Sequence, residues 1–338
     1  MANIYDVAKE AGVSRSTVSR VINNNSEVSE KTKQRVLVAI EKLNYSPNAS
    51  ARSLALNKNG VIAVVSRYML SDPFYSKVAE YIYRIADKRG YGIFFCINER
   101  DTKSNLNYFR MLYGKADGII FLGYDSVKRE ELVKFVDRKY PIVLFENNIN
   151  IPGIVKVNLD NYYGGYVATR YLIQKGHKRI AHYKGQVESF EVIDRLRGYK
   201  SALQDYNISY DNSIVIDGQF SYEEAYNQAD KLLKNKDITA VFCDSDLMAW
   251  GFIEKALELG IKIPQDISVI GFDDINYNLR YDLKGYKKNM DITTLRQPIY
   301  KMSEYAVDAL VENIETGNIK DDKIFSPELI EKGTTIDK

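Results

Sequence analysis

The spacing of apolar residues changes near residue 60 and divides the chain into two regions. Within residues 3–43, apolar residues recur at intervals of three and four, which predicts three short helices. After residue 60, short apolar runs alternate with amphipathic stretches in two successive series. Buried strands that alternate with helices predict parallel sheets covered on both faces, and two series predict an α/β body of two doubly wound parallel-sheet lobes with a cleft between them. The apolar runs are 61–66, 91–97, 117–122 and 141–146, then 156–160, 179–183, 213–217, 240–244 and 267–273.

A polar segment separates the two regions. Residues 44–56 contain a proline and a run of small residues, and the sequence NKNG at 57–60 ends in a glycine that favours a break. We therefore predict a small all-α helix-turn-helix headpiece over residues 1–46, a hinge and linker over 47–59, and a body over 60–338.

The second predicted helix of the headpiece has two distinct faces. Ser14 precedes it as a typical N-cap residue, and Val18, Val21 and Ile22 form its apolar face. Arginine and asparagine can each make two hydrogen bonds to one base in the DNA major groove. The pattern predicts a helix-turn-helix that reads DNA; the alternative is a small helical packing module with a solvated polar face. The polar face consists of Ser16, Arg20 and Asn23, with Arg15 beside them.

The charge distribution favours an acidic partner for the headpiece. The whole chain has a formal net charge of +2. Residues 1–58 hold nine Lys and Arg against five Asp and Glu, whereas the remainder holds 38 against 40. A basic end on a mildly acidic body indicates contact with an acidic polymer such as DNA. The alternative is a solvated basic face.

Long motifs in both regions resemble one family. The run IYDVAKEAGVSRSTVSRVINN, followed by VSEKTKQRVLVAIEKLNYSPNASARSLA, is similar to the headpiece of the lactose/galactose-repressor family. In the body, DGIIFL, GHKRIAHYKG, DRLRGYKSAL, DSDLMAWG, VIGFDD and TTLRQP follow the family's order. The resemblance implies a body like a periplasmic sugar-binding protein, with a first lobe of about 60–159 and 291–318 and a second of about 160–290 and 319–338. It also implies a homodimer on a near-palindromic DNA operator.

The resemblance places DNA contacts in the headpiece and in the hinge. The sequence departs from common members at Arg15 and Ser16, so the operator sequence does not transfer from a relative. In the family the hinge becomes helical on DNA and a leucine wedges into the minor groove, and Leu54 holds that position. The alternative is that Leu54 and Leu56 pack on the body. The candidates are Tyr5, Ser14, Arg15, Ser16, Thr17, Ser19, Arg20, Asn23, Asn48, Ala51 and Leu54.

Polar residues at the ends of the predicted strands form a candidate effector site. The resemblance implies that Arg195 and Asp273 together hold effector hydroxyls, which suits a sugar; the alternative is a structural ion pair. Asp160 and Asp246 are equally typical of helix N-caps, and Phe74 is equally typical of a core residue. The candidates are Phe74, Glu146, Asp160, Arg195, Phe220, Ser245, Asp246 and Asp273.

By family position, Trp250 and Tyr281 face a second subunit. Large aromatic residues with one polar group suit subunit interfaces, and the alternative for Trp250 is a place in the core. In such a dimer, an effector that bridges the two lobes of each subunit changes the separation of the hinges and thereby the affinity for DNA.

Other functional classes lack their motifs. GxGxxG, GxxxxGK[ST] and HExxH are absent from the sequence, and His177 and His182 are its only histidines. We expect no enzyme activity, no cofactor and no metal, and buried thiols at Cys96 and Cys243. The N-terminus lacks a signal peptide and no run reaches roughly 20 apolar residues, so we expect a cytoplasmic protein.

The sequence thus predicts a transcription regulator, a repressor, that binds operator DNA under the control of a small-molecule effector. A sugar or sugar derivative is the expected effector. The alternatives are a nucleobase, or a phosphorylated partner protein as in catabolite-control regulators. A secreted sugar-binding protein would fit the body but not the headpiece or the missing signal peptide.

Overall fold

A computed structural model describes residues 2–22, 28–45, 58–67, 72–97, 112–123, 127–186, 189–275 and 291–338. The chain divides into two compact units, residues 1–60 and 61–338. In the described ranges, no helix combines the length and apolar character needed to cross a membrane.

Within its described residues, the first unit contains three helices, α1 (Ile4–Ala11), α2 (Arg15–Ile22) and α3 (Glu30–Lys42). Helix α1 ends at Gly12, whose φ of 62° is left-handed and favours glycine. Ser14 Oγ accepts from Thr17 N at 3.1 Å before α2, as the sequence predicts, and Ser29 caps α3. The apolar faces of the three helices share one small core, built around Val7, Val18, Val21 and Val36.

The second unit alternates strands and helices. Its elements in chain order are β1 (Val61–Ser66), α4 (Pro73–Lys88), β2 (Gly92–Ile97), β3 (Gly118–Leu122), α5 (Arg129–Val136), β4 (Ile142–Phe145), β5 (Val155–Leu159), α6 (Asn161–Gln174), β6 (Ile180–Lys184), α7 (Phe190–Asp205), a 3₁₀ turn (Asn212–Ile214), β7 (Val215–Asp217), α8 (Tyr222–Leu233), β8 (Ala240–Cys243), α9 (Asp246–Glu258), β9 (Ser268–Asp273), β10 (Thr293–Arg296), α10 (Ile299–Thr316), β11 (Lys323–Phe325) and β12 (Glu328–Ile330).

In the described ranges, these strands form two six-stranded sheets, one in each lobe. The first has the order β11-β5-β4-β3-β1-β2 and is parallel throughout. The second has the order β12-β10-β9-β8-β6-β7, and its β10–β12 pair is antiparallel. The central strands β3, β4, β8 and β9 are buried along their whole length, as expected of sheets covered on both faces. The predicted fold class is confirmed.

The predicted lobe bounds need a correction near the C-terminus. Strand β10, assigned to the first lobe, pairs with β9 of the second sheet, and β11, assigned to the second lobe, pairs with β5 of the first. Helix α10, between them, packs on α4 and on the first sheet. The chain therefore crosses between lobes at 159–161, 296–299 and 325–328. Apolar periodicity identifies a strand but not the sheet that accepts its hydrogen bonds.

Candidate functional site

Helix α2 exposes a polar face formed by Arg15, Ser16 and Arg20. Arg15 Nη1 donates to Tyr5 Oη at 3.3 Å, and the Arg15 guanidinium lies 5.8 Å from the Tyr5 ring centroid. Tyr5 is itself exposed. The first turns of α1 and α2 thus combine into one surface of donors, which we call the polar headpiece face: Tyr5, Ser14, Arg15, Ser16 and Arg20.

Other candidates of the headpiece support this face or lie beyond the described ranges. Thr17 and Ser19 are half-buried, and Ser14 Oγ lies 2.7 Å from Ser16 Oγ and 2.8 Å from Thr17 Oγ1. Four predicted DNA contacts are outside the described residues: Asn23, Asn48, Ala51 and Leu54.

Arg35, which the sequence reasoning missed, fixes the turn between α1 and α2. Its Nη2 donates to the carbonyl oxygens of Ala11 at 2.5 Å and Gly12 at 3.2 Å. A Cβ at Gly12 would lie 2.8 Å from that nitrogen, so the turn and the guanidinium fit closely. A cation at the end of α1 also suits the helix dipole. Only the contact across the fold reveals this role.

A cavity of about 300 Å³ lies between the two lobes of the body, beyond the carboxyl ends of the strands. Six of the eight effector candidates line it: Phe74, Glu146, Arg195, Phe220, Ser245 and Asp273. The sequence reasoning did not single out several others as effector residues: Asp72, Gln186, Glu191, Gln219, Tyr222, Glu223, Leu247 and Gln297.

Arg195, on α7, is held rigidly at the wall of this cavity. Its Nε donates to Asn161 Oδ1 at 2.9 Å, one Nη donates to the carbonyl oxygen of Asp244, and its guanidinium lies 3.7 Å from the Phe272 ring centroid. Helices α6 and α7 approach so closely that a Cβ at Gly165 would lie 2.1 Å from the Arg195 carbonyl oxygen. The guanidinium is therefore positioned before any ligand binds.

Asp273 ends β9 with a φ of 111°, a conformation that side chains other than glycine rarely adopt. Its Oδ1 accepts from Gln297 Nε2 at 2.7 Å. Burial raises the pKa of Asp273 well above its ordinary value, and the charge of Arg195 opposes that shift. Within the described residues, Arg195 and Asp273 make no direct ion pair. The two groups face the same cavity instead.

Glu146 is joined to Arg195 through Asn161. Glu146 Oε1 accepts from Leu159 N at 2.5 Å, and its Oε2 accepts from Asn161 Nδ2 at 3.2 Å. Burial, with a smaller effect of the Glu191 carboxylate, raises the pKa of Glu146 to about 8. Asn161 follows a residue that the sequence analysis did select, Asp160. The strand end was recognised from the sequence, but not which neighbouring side chain turns inward.

Asp160 and Asp246 are absent from the described lining of the cavity. Asp160 caps α6, where its Oδ1 accepts from Tyr163 N at 2.9 Å, as the N-cap alternative predicts. Asp246 is the first residue of α9, which Ser245 caps. Burial raises the pKa of Asp246 to about 7, and its carboxylate accepts from Thr294 Oγ1 at 2.7 Å and from the backbone N of residue 275 at 3.1 Å. Both aspartates thus have structural hydrogen bonds that occupy them.

Trp250, His182 and the two cysteines are not among the described residues that line the cavity. Trp250 is half-buried and packs beside the core of the second lobe, and Tyr281 is outside the described residues. His182 Nε2 lies 2.8 Å from Asp244 Oδ1 inside the second sheet. Cys96 and Cys243 are buried free thiols, as predicted. The described ranges bring no three His, Cys, Asp or Glu side chains together as metal ligands.

Comparison with known proteins gives matches in both units. The sequence profile "Bacterial regulatory proteins, lacI family" matches residues 3–48, and "Periplasmic binding protein-like domain" matches residues 169–335. The chain is 34% identical to the HTH-type transcriptional repressor PurR of Aliivibrio fischeri (strain MJ11), over 100% of this chain and 99% of that protein.

Two similar solved structures match nearly the whole chain. One is the lac repressor dimer bound to operator and the anti-inducer ONPF, with a TM-score of 0.83, 26% identity and 99% of each chain covered. The other is a complex of the transcriptional regulator CelR with cellobiose, with a TM-score of 0.70, 27% identity, and 99% of this chain and 100% of that chain covered.

Proposed function

Since this chain belongs to the lacI family of DNA-binding transcription regulators, we propose that it is controlled by a hydroxylated small molecule without negative charge, bound in the cavity between its lobes. The chain itself is a transcriptional repressor that binds operator DNA and a small-molecule effector. The proposal concerns which effector it takes and which residues hold it.

The charge of the cavity carries this proposal. Five carboxyl side chains line it, and Arg195 is the only basic side chain among its described lining residues. A phosphorylated sugar would bring a dianion beside these carboxylates and would lose its hydration there, which is strongly unfavourable. Hydroxyl groups, in contrast, donate to carboxylates in strong charge-assisted hydrogen bonds. The five are Asp72, Glu146, Glu191, Glu223 and Asp273.

Aromatic side chains give the cavity apolar walls suited to the C–H faces of a sugar ring. Phe74 and Tyr75 meet edge to face, with ring centroids 5.1 Å apart. Phe220 packs so tightly on the backbone that a Cβ at Gly185 would lie 2.2 Å from its ring. The complex of CelR with cellobiose also supports a sugar, since that regulator is similar to this chain over nearly its whole length.

A thermal-unfolding screen of the full chain tests the effector class. We expect an uncharged sugar to raise the melting temperature, because a ligand at about 100 times its Kd stabilises the folded state by about 2.7 kcal/mol. The matched sugar phosphate should have no such effect. Stabilisation by the phosphate alone would contradict the proposal.

For DNA, we propose that the polar headpiece face enters the major groove. Arg15 and Arg20 supply donors for base edges, and Tyr5 orients Arg15 through the bond between them. Ser14, Thr17 and Ser19 then support the face or bond phosphates. Asn23, Asn48, Ala51 and Leu54 remain sequence-based candidates.

We also propose a homodimer that acts in the cytoplasm, where the operator is. Strand β2 ends the order of the described strands in the first sheet, and it exposes Phe94 and Phe95. An apolar sheet edge in water favours pairing with another chain, and the similar lac repressor structure is a dimer. Trp250 and Tyr281 remain candidates for the contact in the second lobe. Trp250→Glu should yield monomers in sedimentation, and a stable dimer would refute its placement.

A further inference from the structure

The polar groups of the cavity are mostly hydrogen-bond acceptors. Gln297 is 5% exposed, its Nε2 donates to Asp273, and its Oε1 has no hydrogen-bond partner among the described residues. Gln297 is one of the residues that line the cavity, so an unmet acceptor belongs to its wall. Arg195 has already committed its Nε and one Nη to Asn161 and the Asp244 carbonyl. A ligand that fits this surface must mainly donate hydrogen bonds.

Two acidic side chains of the cavity, Glu146 and Glu191, also act on each other's charge. Glu146 and Glu191 are both buried, and the Glu191 carboxylate is one of the groups that raise the pKa of Glu146. The charge of Arg195 opposes this rise in the pKa of Glu146. The same guanidinium also opposes the rise in the pKa of Asp273. The raised pKa keeps Glu146 protonated near neutral pH. A ligand with a positive charge beside it would lower that pKa and favour the ionised carboxylate.

The aromatic walls suit a cation as well. Phe74, Tyr75, Phe220 and Tyr222 line the same cavity as the Glu146 and Glu191 carboxylates. Aromatic faces attract cations, most strongly where water is displaced. Acceptors, carboxylates and rings together form a surface typical of sites for amines.

We propose that the effector carries a charged primary amine on a hydroxylated ring, as an amino sugar does, with the ammonium group held at Glu146 and Glu191. An ammonium group has three donors and one positive charge, which matches the acceptors of the cavity and favours ionisation of the Glu146 carboxyl beside it. Asp273 and Gln297 then accept hydrogen bonds from ring hydroxyls. This inference rests on the proposed function, because it refines the ligand class of the same cavity.

Isothermal titration calorimetry on the full chain compares three matched sets. The amino sugars are glucosamine, galactosamine and mannosamine, each tested against its parent sugar and its N-acetyl derivative at a pH that keeps the amine charged. At least one amino sugar should bind about ten-fold or more tightly than both of its relatives, since a buried charged hydrogen bond contributes at least that much. Binding of a parent sugar with equal or higher affinity would contradict the proposal of a charged amine and would leave the proposed function intact. Failure of all three amino sugars to bind would also contradict the proposal of a charged amine. Binding of sugar phosphates alone would contradict both this proposal and the proposed function.

A charge-removing variant tests the position of the amine. Glu191→Gln keeps the shape of the side chain and should lower the affinity for the amino sugar about ten-fold or more, while the affinity for the parent sugar changes less than about three-fold. Glu130→Gln, in the exposed first turn of α5, removes the same charge at a residue that is not among those lining the cavity, and it should change neither affinity. Equal losses for the amino sugar and the parent sugar in Glu191→Gln would contradict a charge contact.

Discussion

The headpiece and the cavity offer opposite chemistry to their ligands. On the headpiece, the proposed DNA-contacting side chains Arg15 and Arg20 are exposed donors on a basic unit. In the cavity, Glu146 and Asp273 are buried acceptors whose pKa values are raised by the loss of water. We propose that the first arrangement attracts DNA from solution and that the second disfavours anions and binds hydrogen-bond donors.

This difference accounts for the selectivity of each proposed site, with DNA at the headpiece and the effector in the cavity. Exposed charges act at long range and depend on salt, so they suit the capture of DNA. Buried charges act strongly over short distances, because the loss of water strengthens each electrostatic interaction and raises the cost of an unpaired polar group. Substitutions on the headpiece should therefore change binding with little effect on stability, whereas substitutions in the cavity should change both.

The largest expected effect is that of Arg195→Ala. The substitution leaves Asn161 Oδ1 and the Asp244 carbonyl without their donor and removes the charge that offsets Asp273. We expect a loss of about 3–5 kcal/mol in the free energy of unfolding, measured by urea denaturation, and loss of the response to effector. Arg197→Ala is the matched control, because Arg197 is exposed, forms an ion pair with Asp194 on the same helix and lies 5.6 Å from the Tyr162 ring centroid; it should lose less than about 1 kcal/mol. A destabilised Arg195→Ala protein that still responds to effector would contradict the assignment.

The pH dependence of stability should be the next largest effect. Burial raises the pKa of Glu146 from 4.5 to about 8, so the folded protein keeps a proton that the unfolded chain releases. The contribution to stability is complete below about pH 4.5 and is lost as the pH rises through about 8. Glu146→Gln should therefore gain stability relative to the wild type between pH 5 and 9, by an amount on the order of 2–4 kcal/mol in urea denaturation. The free energy of unfolding of Glu130→Gln should change with pH as that of the wild type does. If the wild type and Glu146→Gln showed the same pH dependence, the Glu146 carboxyl would not be desolvated.

On the headpiece, Arg20→Ala should weaken binding to the operator by about 1–3 kcal/mol and relax the base preference at one position of each half-site. The melting temperature should not change, because the Arg20 side chain is exposed. Lys42→Ala removes an equal charge that pairs with Glu10 at 2.5 Å and should preserve the base preference. Equal weakening by Arg20→Ala on operator and unrelated DNA would show that Arg20 contacts only phosphate.

The smallest predicted effect concerns the start of the headpiece. Asn3 Oδ1 accepts from Tyr5 N at 2.8 Å and Asp6 N at 3.2 Å, and Asp6 Oδ2 accepts from Asn3 N at 2.9 Å. Asn3→Ala should destabilise α1 by about 1 kcal/mol, visible as faster hydrogen exchange of its amides in the full chain. Unchanged exchange rates would mean that the core around Val7 alone sets the stability of the helix.

The headpiece could be predicted from its sequence in detail because its signals are local. Capping by Ser14 and Ser29 and the turn at Gly12 each depend on neighbours within a few positions. Arg35 escaped this reasoning, since its two acceptors are 23 and 24 residues away along the chain.

The cavity could be predicted only in outline. Strand ends and family position led to Arg195, Asp273 and Glu146, which the fold does bring to one cavity. Sequence cannot tell which polar residue at a strand end turns toward the cleft, so Asp160 was chosen together with Glu146 where Asn161 joins the network. Gln297 lies where the chain crosses between lobes, and its place depends on the pairing of β10 with the second sheet.

The central claim is that an acidic cavity, which selects against anions, controls operator binding. The most direct test is fluorescence anisotropy of the full chain on an operator selected from a near-palindromic library, titrated with matched uncharged, amine-bearing and phosphorylated sugars. We predict that an uncharged or amine-bearing compound changes operator affinity by about 5–150-fold, the usual range of allosteric coupling, and that its phosphorylated counterpart has no effect. A change in operator affinity produced by the phosphorylated compound alone would contradict the account.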